Sequence, residues 1–406
     1  MSKWKVFVYS LMLVFFAICV TETVLFVLCK ASPKINLILS KAYTAASIPN
    51  SVLEFRPNPA YIEHDKNGFR NSSVPPKVDI VCIGDSQTYG SGVGVTPQLA
   101  WPQQLGRLSG KITYNMAFGG YGPTHYLYLL DEAIAMKPKM VIVGFYAGND
   151  LYDVFNMVYI RNQMGYLKNP DSKVINQIAE LEQKQSLLSK IEHRGNNDHS
   201  LAKSAISLIT DNSKIFGLFR AVGRLTVNNR ALGSAAGFLQ HPFAKNEAVY
   251  DNEKFRTVFE PGQRLLALNM NDVRIQEGLR IALEALRAMN EKSKKNGFSF
   301  CILIIPTKEL VFKELVYGDE KQVSTDYRSL IDNEESFDSA VKQYLTTNGI
   351  QFVEALPALR GCLRGGKQPY SVTEDGHPNA VGYHAIAKLL NDTVLSSPII
   401  SVKESR

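Results

Sequence analysis

Cysteine is scarce in this chain, and the few cysteines do not have the spacing of a metal site. The 406 residues contain five cysteines, with no Cys-x-x-Cys pair and no cluster of cysteine with histidine. Isolated cysteines are most simply buried apolar residues. We therefore predict neither a disulfide framework nor a bound metal, and no other feature of the sequence indicates a cofactor.

Long runs of lysine and arginine are also absent. The net charge of +7 is small for a chain of this length. Such a charge is typical of a solvated basic surface, although acidic glycans or lipid headgroups near the protein are an alternative explanation. We expect no nucleic-acid partner.

The sequence shows no internal repeat, no low-complexity tract and no glycine-rich phosphate loop before a helix. The last of these absences argues against a flavodoxin-like nucleotide binder. What the chain does contain is 45% hydrophobic and 20% charged residues, which is normal for a folded protein. Its length leaves room for one large domain or two of ordinary size.

The N-terminal segment, residues 1–30, is strongly apolar. Between Lys5 and Lys30 lie 24 residues in which Glu22 is the only charge. At about 1.5 Å per residue, a helix of this length spans a bilayer core. A cleaved signal peptide is the alternative, but its apolar region is normally about 7–15 residues long. We predict an uncleaved, single-pass transmembrane helix. Lysines flank it on both sides, so the positive-inside rule does not decide its orientation.

Glu22 lies inside this apolar segment. A carboxylate there is costly unless it is neutral or paired, which suggests contact with a second membrane helix and hence a membrane-protein partner. Snorkelling of the carboxyl group toward the near interface is an equally acceptable explanation.

The remainder of the chain divides into a linker, a core and an insertion. Residues 31–77 contain six prolines and are predicted to be a linker and lead-in without long regular elements. Strand-like and helix-like segments alternate in residues 78–150 and 271–397. Residues 151–270 are polar and irregular, and we predict that they form an insertion that acts as a lid or a partner surface.

Five strands and five helices are predicted in the alternating part. The strands are residues 78–84, 111–115, 140–146, 298–305 and 351–354. The helices are residues 102–110, 124–136, 273–295, 335–346 and 379–395. The strands are apolar on both faces, which is typical of a parallel sheet that is covered on both sides. We therefore predict an α/β fold, a three-layer α/β/α sandwich with a five-stranded, mainly parallel sheet.

Polar residues follow several of the predicted strands. Ser86 comes directly after the first strand, and Asp375 and His377 share one short loop far downstream. In a sheet of this kind the functional groups gather at the carboxyl ends of the strands. A serine nucleophile, a histidine base and an acid that orients the histidine make up the arrangement used for acyl transfer. The sequence therefore predicts a serine-dependent acyl-transfer site.

Ser86, Gly120, Asn149 and His377 match, in order, the four blocks of the SGNH (GDSL-type) hydrolase superfamily, which the chain resembles. The resemblance implies the flavodoxin-like SGNH fold and assigns Ser86 as the nucleophile. It makes His377 the general base and Asp375 the acid that orients it. The backbone N–H groups of Ser86 and Gly120 and the side-chain amide of Asn149 would form the oxyanion hole.

The chain departs from the common pattern of the superfamily at a few positions. The acid usually lies three residues before the histidine, which here is Glu374. Asp375 lies two before it, as in membrane-anchored members that resemble alginate O-acetyltransferase-like proteins. Ala147 and Gln87 replace the usual glycine and leucine of their blocks. We assign Asp375 as the acid, with Glu374 as the alternative.

Together these features predict a membrane-tethered serine esterase that acts through an acyl-enzyme. The resemblance implies an acyl-ester or acylated carbohydrate substrate of the cell envelope, and a catalytic domain outside the cytoplasm, at a bacterial inner membrane facing the periplasm. The alternatives are an O-acyltransferase that moves an acetyl group to an exopolysaccharide, and a non-catalytic scaffold of a membrane assembly.

Some polar residues near the predicted site have simpler explanations than catalysis. We expect Asp85 and Asp150 to bond nearby backbone amides, as short acids at turns usually do. His125 is expected to cap a helix or to pack, and His384 to be structural. Lys308 is expected to be a solvated lysine rather than a contact to an acidic substrate.

Overall fold

The structure, a computed structural model, describes most of the chain. The described residues are 3–32, 35, 46–193, 214–215, 218, 248–318 and 323–395. Two compact units can be distinguished, one of residues 1–68 with 181–242 and the other of residues 69–180 with 243–406. The second unit contains both parts of the predicted core, together with residues 151–180 and 243–270 of the predicted insertion.

The first unit begins with the long helix α1 (Lys3–Ala31). Apolar side chains such as Leu13 and Phe15 are exposed along it. Among the described residues this is the one helix that is long and apolar enough to cross a membrane, with a mean hydropathy of 2.6 over Trp4–Ala31. A signal sequence near the N-terminus can meet the same criteria of length and composition.

Glu22 of this helix has hydrogen-bond partners in the same chain. Its carboxylate accepts bonds from the backbone N–H groups of Lys214 and Ile215. These bonds offset part of the cost of placing a carboxylate in an apolar helix. Contact with another membrane protein stays a prediction. The first unit also contains an antiparallel hairpin, β1 (Ser47–Asn50) with β2 (Glu54–Pro57), inside the predicted linker.

The second unit contains a five-stranded sheet and a separate hairpin. Its strands are β3 (Ile80–Gly84), β4 (Thr113–Ala117), β5 (Met140–Tyr146), β6 (Ala248–Asp251), β7 (Arg256–Phe259), β8 (Ser299–Ile305) and β9 (Phe352–Glu354). The order in the sheet is β4-β3-β5-β8-β9, and every neighbouring pair is parallel. The antiparallel hairpin β6-β7 belongs to the predicted insertion.

Helices connect these strands. They are α2 (Ser86–Tyr89), α3 (Trp101–Ser109), α4 (Pro123–Ala135), α5 (Asp150–Phe155), α6 (Ser172–His193), α7 (Pro261–Leu268), α8 (Val273–Lys295), α9 (Lys308–Tyr317), α10 (Thr325–Thr347), α11 (Leu356–Arg364) and α12 (Ala380–Leu390). Single turns of other helix types occur at Pro97–Leu99, Asn156–Ile160, Gly165–Leu167 and Asn391–Leu395.

The helices cover both faces of the sheet. The chain moves from β3 outward to β4 and then back across β3 to β5, so right-handed crossovers place α3 and α4 on opposite faces. In agreement, α8 packs against α4 and α5, whereas α3 packs against α12. Every residue of β3 and of β5 is buried between these layers. The prediction of a three-layer α/β/α sandwich is confirmed.

Most predicted elements agree with the observed ones to within a few residues. Helix α8 coincides with the predicted helix 273–295, and β5 coincides with the predicted strand 140–146. Helix α10 is longer than the predicted helix 335–346 because its first turns also bury apolar side chains and because Ser324 caps it. The Ser324 hydroxyl accepts a hydrogen bond of 3.2 Å from the backbone N–H of Tyr327.

The carboxyl ends of the central strands lie at one edge of the sheet. Gly84 at the end of β3 pairs with Ala117 at the end of β4, and Tyr146 at the end of β5 pairs with Ile305 at the end of β8. The loops that follow these strands therefore start side by side. This is the edge at which a doubly wound sheet places its functional groups.

Candidate active site

Ser86 is the first residue of α2, directly behind the end of β3. Asp85 caps the short helix, and its carboxylate accepts a hydrogen bond of 2.9 Å from the backbone N–H of Gln87. Gly90 ends the helix in the left-handed region, with φ of 89°. The sharp change from strand to helix leaves the Ser86 side chain partly exposed at the edge of the sheet.

His377 bridges Ser86 and Asp375. Its Nε2 lies 2.8 Å from Oγ of Ser86, and its Nδ1 lies 2.5 Å from Oδ1 of Asp375. The second carboxylate oxygen of Asp375 accepts a hydrogen bond of 2.9 Å from the backbone N–H of Val93. Glu374, the alternative acid, is exposed to solvent. The structure therefore brings together the predicted nucleophile, base and acid, with Asp375 rather than Glu374 on the histidine.

The environment of Asp375 favours its ionised form. Partial burial by itself would raise the pKa of this carboxyl group. Hydrogen bonds from the ring and backbone of His377, together with the bond from Val93, outweigh that effect and hold the pKa below its ordinary value. An ionised Asp375 accepts a hydrogen bond from the N–H group at Nδ1 of His377, which leaves Nε2 free to accept a proton from Ser86.

The glycine-rich loop after β4 lies against the nucleophile. Gly120 has a φ of 79°, a conformation that a residue with a side chain rarely adopts. A Cβ atom added to the preceding Gly119 would lie 3.5 Å from Cβ of Ser86. Among the described residues, no acceptor bonds the backbone N–H of Ser86 or of Gly120. Both groups are therefore available to an oxyanion.

Asn149 is held by a neighbouring carboxylate. Its Nδ2 donates a hydrogen bond of 2.8 Å to Oδ2 of Asp153, one turn further along α5. The Asn149 Oδ1 is buried and has no partner in the described part of the chain. Because the amide nitrogen has two hydrogens, one remains after the bond to Asp153. Its role in an oxyanion hole stays a prediction.

Two buried carboxyl groups, Asp85 and Asp150, and the half-buried Asp153 lie near the site. Burial raises the pKa of Asp85 to about 6 and that of Asp153 to about 8, and it raises the pKa of Asp150 well above the ordinary value. Asp150 accepts hydrogen bonds from the backbone N–H of Tyr146 and the hydroxyl of Tyr126, at 2.9 and 3.0 Å. The prediction that Asp85 and Asp150 bond nearby backbone amides is confirmed.

The prediction that Lys308 is a solvated lysine is wrong. Its side chain is 1% exposed, and Nζ donates to the carbonyl oxygens of Thr373 and Asp375 at 3.0 and 3.1 Å. Burial lowers its pKa to about 8. A weak signal for this contact is present in the sequence, because Lys308 opens α9 shortly after the end of β8 and therefore lies at the edge where the functional loops meet.

The two histidines with structural explanations behave as expected. Nδ1 of His125 accepts a hydrogen bond of 3.1 Å from the backbone N–H of Gly122, at the start of α4, and its ring stacks on Tyr121. Nδ1 of His384 lies 2.9 Å from Oε1 of Gln104. In the described part of the chain, no group of three or more histidine, cysteine, aspartate or glutamate residues could hold a metal ion.

Sequence reasoning did not identify Arg70 as a support of the site. This arginine is 6% exposed, and its guanidinium donates hydrogen bonds of 2.5 and 2.9 Å to the carbonyl oxygens of Gly90 and Val95. It also lies over the ring of Tyr89. Arg70 therefore fixes the segment between the nucleophile helix and Val93, which binds the triad carboxylate. A single arginine before the first core strand carries no pattern that marks this function.

Fold and site together define an α/β protein with a serine–histidine–aspartate triad at the carboxyl edge of a parallel sheet. The strand order and the position of the triad agree with the SGNH-type fold that the sequence resemblance implied. No family model matches the chain, and no curated protein matches it.

Three solved structures that are similar to this chain are esterases or lipases. An acetylxylan esterase from Geobacillus stearothermophilus, in a catalytic mutant form, has 12% identity and a TM-score of 0.35, with 78% of this chain and 93% of that chain covered. Phospholipase A1 from Streptomyces albidoflavus has 9% identity and a TM-score of 0.35, with 78% and 99% covered. A GDSL-like lipase from Bacteroides thetaiotaomicron has 10% identity and a TM-score of 0.32, with 77% and 86% covered.

Proposed function

We propose that this chain is a serine ester hydrolase of SGNH type that works through an acyl-enzyme. One observation carries the proposal: Nε2 of His377 lies 2.8 Å from Oγ of Ser86 while Nδ1 lies 2.5 Å from Asp375. Both contacts are hydrogen bonds, and the one to Ser86 allows a proton to pass from Oγ to Nε2. Asp375 and His377 lie 289 and 291 positions after Ser86 in the sequence, so local turn chemistry does not explain the contact.

The first half-reaction follows from this geometry. Oγ of Ser86 attacks the carbonyl carbon of the ester while Nε2 of His377 takes its proton. Asp375 stabilises the imidazolium that forms and keeps the ring oriented. His377 then gives the proton to the leaving alcohol oxygen as the carbon–oxygen bond of the ester breaks, which leaves the acyl group on Ser86.

The negative charge that develops on the carbonyl oxygen needs donors that are already oriented. The backbone N–H groups of Ser86 and Gly120 bond no acceptor among the described residues, and Asn149 has a second amide hydrogen. We assign these three groups to the oxyanion hole. Donors that are fixed before the reaction stabilise the transition state without a further reorganisation cost.

In the second half-reaction His377 removes a proton from the molecule that attacks the acyl-enzyme. Water as the attacking molecule gives a hydrolase, whereas a sugar hydroxyl gives the O-acyltransferase alternative. We place hydrolysis first because transfer requires that water be excluded. With an acetyl donor and an oligosaccharide acceptor, a hydrolase releases free acetate, and an excess of acylated sugar over free acetate would reverse this order.

The experiment for the proposed chemistry is labelling with a fluorophosphonate, which reacts with activated serines. Wild-type protein should be labelled, and Ser86→Ala should not. Ser91→Ala is the matched control because Ser91 is an exposed serine only five residues away, and this variant should be labelled like wild type. Absence of labelling in folded wild-type protein would support the scaffold alternative instead.

We further propose that α1 anchors the enzyme in a membrane, with the triad outside the cytoplasm and an acylated carbohydrate of the cell envelope as substrate. The exposed apolar side chains of α1 and its mean hydropathy support the anchor. The anchored protein should stay in the membrane pellet after an alkaline wash and keep its N-terminal residues. A soluble mature protein that starts after Ala31 would identify the segment as a signal sequence.

A further inference from the structure

Arg264 approaches the loop of the triad from α7, in the region predicted to be an insertion. Gly376 lies between Asp375 and His377, and a Cβ atom added to it would collide with Nη2 of Arg264. The glycine therefore leaves the space that the guanidinium occupies. No motif in the sequence singles out this arginine.

The guanidinium of Arg264 lacks a partner within the part of the chain that the structure describes. Its Nε is buried and bonds no acceptor. Arg264 interacts electrostatically first with Tyr146 and then with Glu309, Glu260 and Asp375, but among the described residues no carboxylate forms an ion pair with it. A half-buried guanidinium normally pairs with an anion, because an unpaired buried charge is costly.

The hydroxyl of Tyr146 is a second donor at the same place. This side chain is 2% exposed, and its hydroxyl is buried without a hydrogen-bond partner among the described residues. It would lie 3.7 Å from the added Cβ of Gly376, and a Cβ added to Gly148 would touch the Tyr146 ring. The hydroxyl therefore lies between the loop that carries Asn149 and the loop that carries the triad histidine. A buried phenol normally has a partner.

We propose that Arg264 and Tyr146 form a binding subsite for a carboxylate on the substrate, beside the triad. The planar guanidinium presents parallel N–H donors that match a carboxylate, and the phenol adds a neutral donor. Binding would satisfy the half-buried guanidinium of Arg264 and the buried hydroxyl of Tyr146, which have no hydrogen-bond partner among the described residues. The inference rests on the proposed ester hydrolysis and narrows the substrate to esters with a carboxylate in the acyl or the alcohol part.

Matched pairs of esters test the subsite. Mono-4-nitrophenyl succinate and 4-nitrophenyl butyrate have similar size, and only the first has a carboxylate, in its acyl part. Acetoxybenzoate and phenyl acetate form the corresponding pair for the alcohol part. In at least one pair Arg264→Met should lower kcat/KM for the anionic ester by roughly 10- to 100-fold, the range expected for charge-assisted hydrogen bonds. The neutral ester should change by no more than about twofold.

Three further variants separate binding from folding and from net charge. Tyr146→Phe removes only the hydroxyl and should weaken use of the same anionic ester by a smaller factor. Arg264→Lys keeps the charge and should recover part of the loss, because a lysine lacks the bidentate geometry. Arg287→Met removes a positive charge from an exposed position of α8 and should leave both esters unaffected.

Equal losses for anionic and neutral esters in Arg264→Met would overturn the subsite while leaving the esterase intact. If no ester is hydrolysed, the proposed function fails and binding still tests the subsite. Titration of Ser86→Ala with monomethyl succinate should then show binding that is lost in Ser86→Ala/Arg264→Met. Equal binding to both proteins would contradict the inference.

Discussion

Nζ of Lys308 donates hydrogen bonds to the carbonyl oxygens of Thr373 and Asp375, so a residue at the start of α9 holds the loop that carries His377. Among the described residues, Lys308 forms no hydrogen bond with Ser86 or with the ring of His377. It acts on the position of the loop, which it holds from a buried site.

Replacement of Lys308 by methionine should lower kcat by roughly 10- to 100-fold with little change in KM. Methionine fills the space, but it leaves both carbonyl oxygens without a donor, and a shift of about 1 Å in a catalytic group costs this much. Steady-state kinetics with 4-nitrophenyl acetate measure the effect. Lys254→Met, which changes an exposed lysine, is the control. Equal kcat in the two variants would contradict the positioning role.

The stability of wild-type protein relative to Lys308→Met should rise with pH above pH 8. Burial lowers the pKa of Lys308 from 10.5 to about 8 in the folded state, so the unfolded chain binds more protons between these values. The free energy of unfolding therefore increases across that window, by about 3 kcal/mol. Below pH 8 the cost of the buried charge is fully present. Urea unfolding of both proteins at pH 7 and pH 10 checks the sign.

Replacement of Asp375 should have a large effect on kcat, whereas replacement of its neighbour Glu374 should have none. Asp375→Asn should lower kcat by roughly 10³–10⁴ because the amide no longer favours the correct protonation of His377. Glu374→Gln should leave kcat unchanged, since Glu374 is exposed and does not contact the ring. Each variant removes one negative charge, so the same assay separates the role of the triad acid from a general effect of charge near the site. A larger loss for Glu374→Gln would reverse the assignment.

Asn149 and Asp153 test the oxyanion hole. Asn149→Ala should lower kcat by roughly 10²–10³ through loss of one donor. Asp153→Leu should lower it less, by about tenfold, because the Asn149 amide then loses only the hydrogen bond that orients it. Asp153→Asn keeps an acceptor oxygen and should retain most of the activity. If Asp153→Asn and Asp153→Leu are equally impaired, orientation of Asn149 is not the role of Asp153.

The central strands could be predicted because each is a short apolar run that ends at glycine or a polar turn, and burial on both faces requires that pattern. The start of α10 could not be predicted, since the cap by Ser324 and the burial of Tyr327 depend on the packing of this helix against the core. The prediction for Lys308 was wrong for a related reason. A lysine is usually solvated, and only the carbonyl groups of a loop far along the chain make its burial acceptable.

The sequence alone determined the α/β class, the parallel sheet and the candidate nucleophile and base, Ser86 and His377, with Asp375 or Glu374 as the acid, because periodicity and the residue types at strand ends are local properties. Tertiary structure decided which acid meets the histidine, which side chains support that loop, and that Arg264 and Tyr146 lie beside it with unsatisfied donors. The contacts of Lys308, Arg264 and Tyr146 with that loop join residues 65 or more positions apart. Burial and hydrogen bonding between such residues depend on the packing of the whole sheet and its helices.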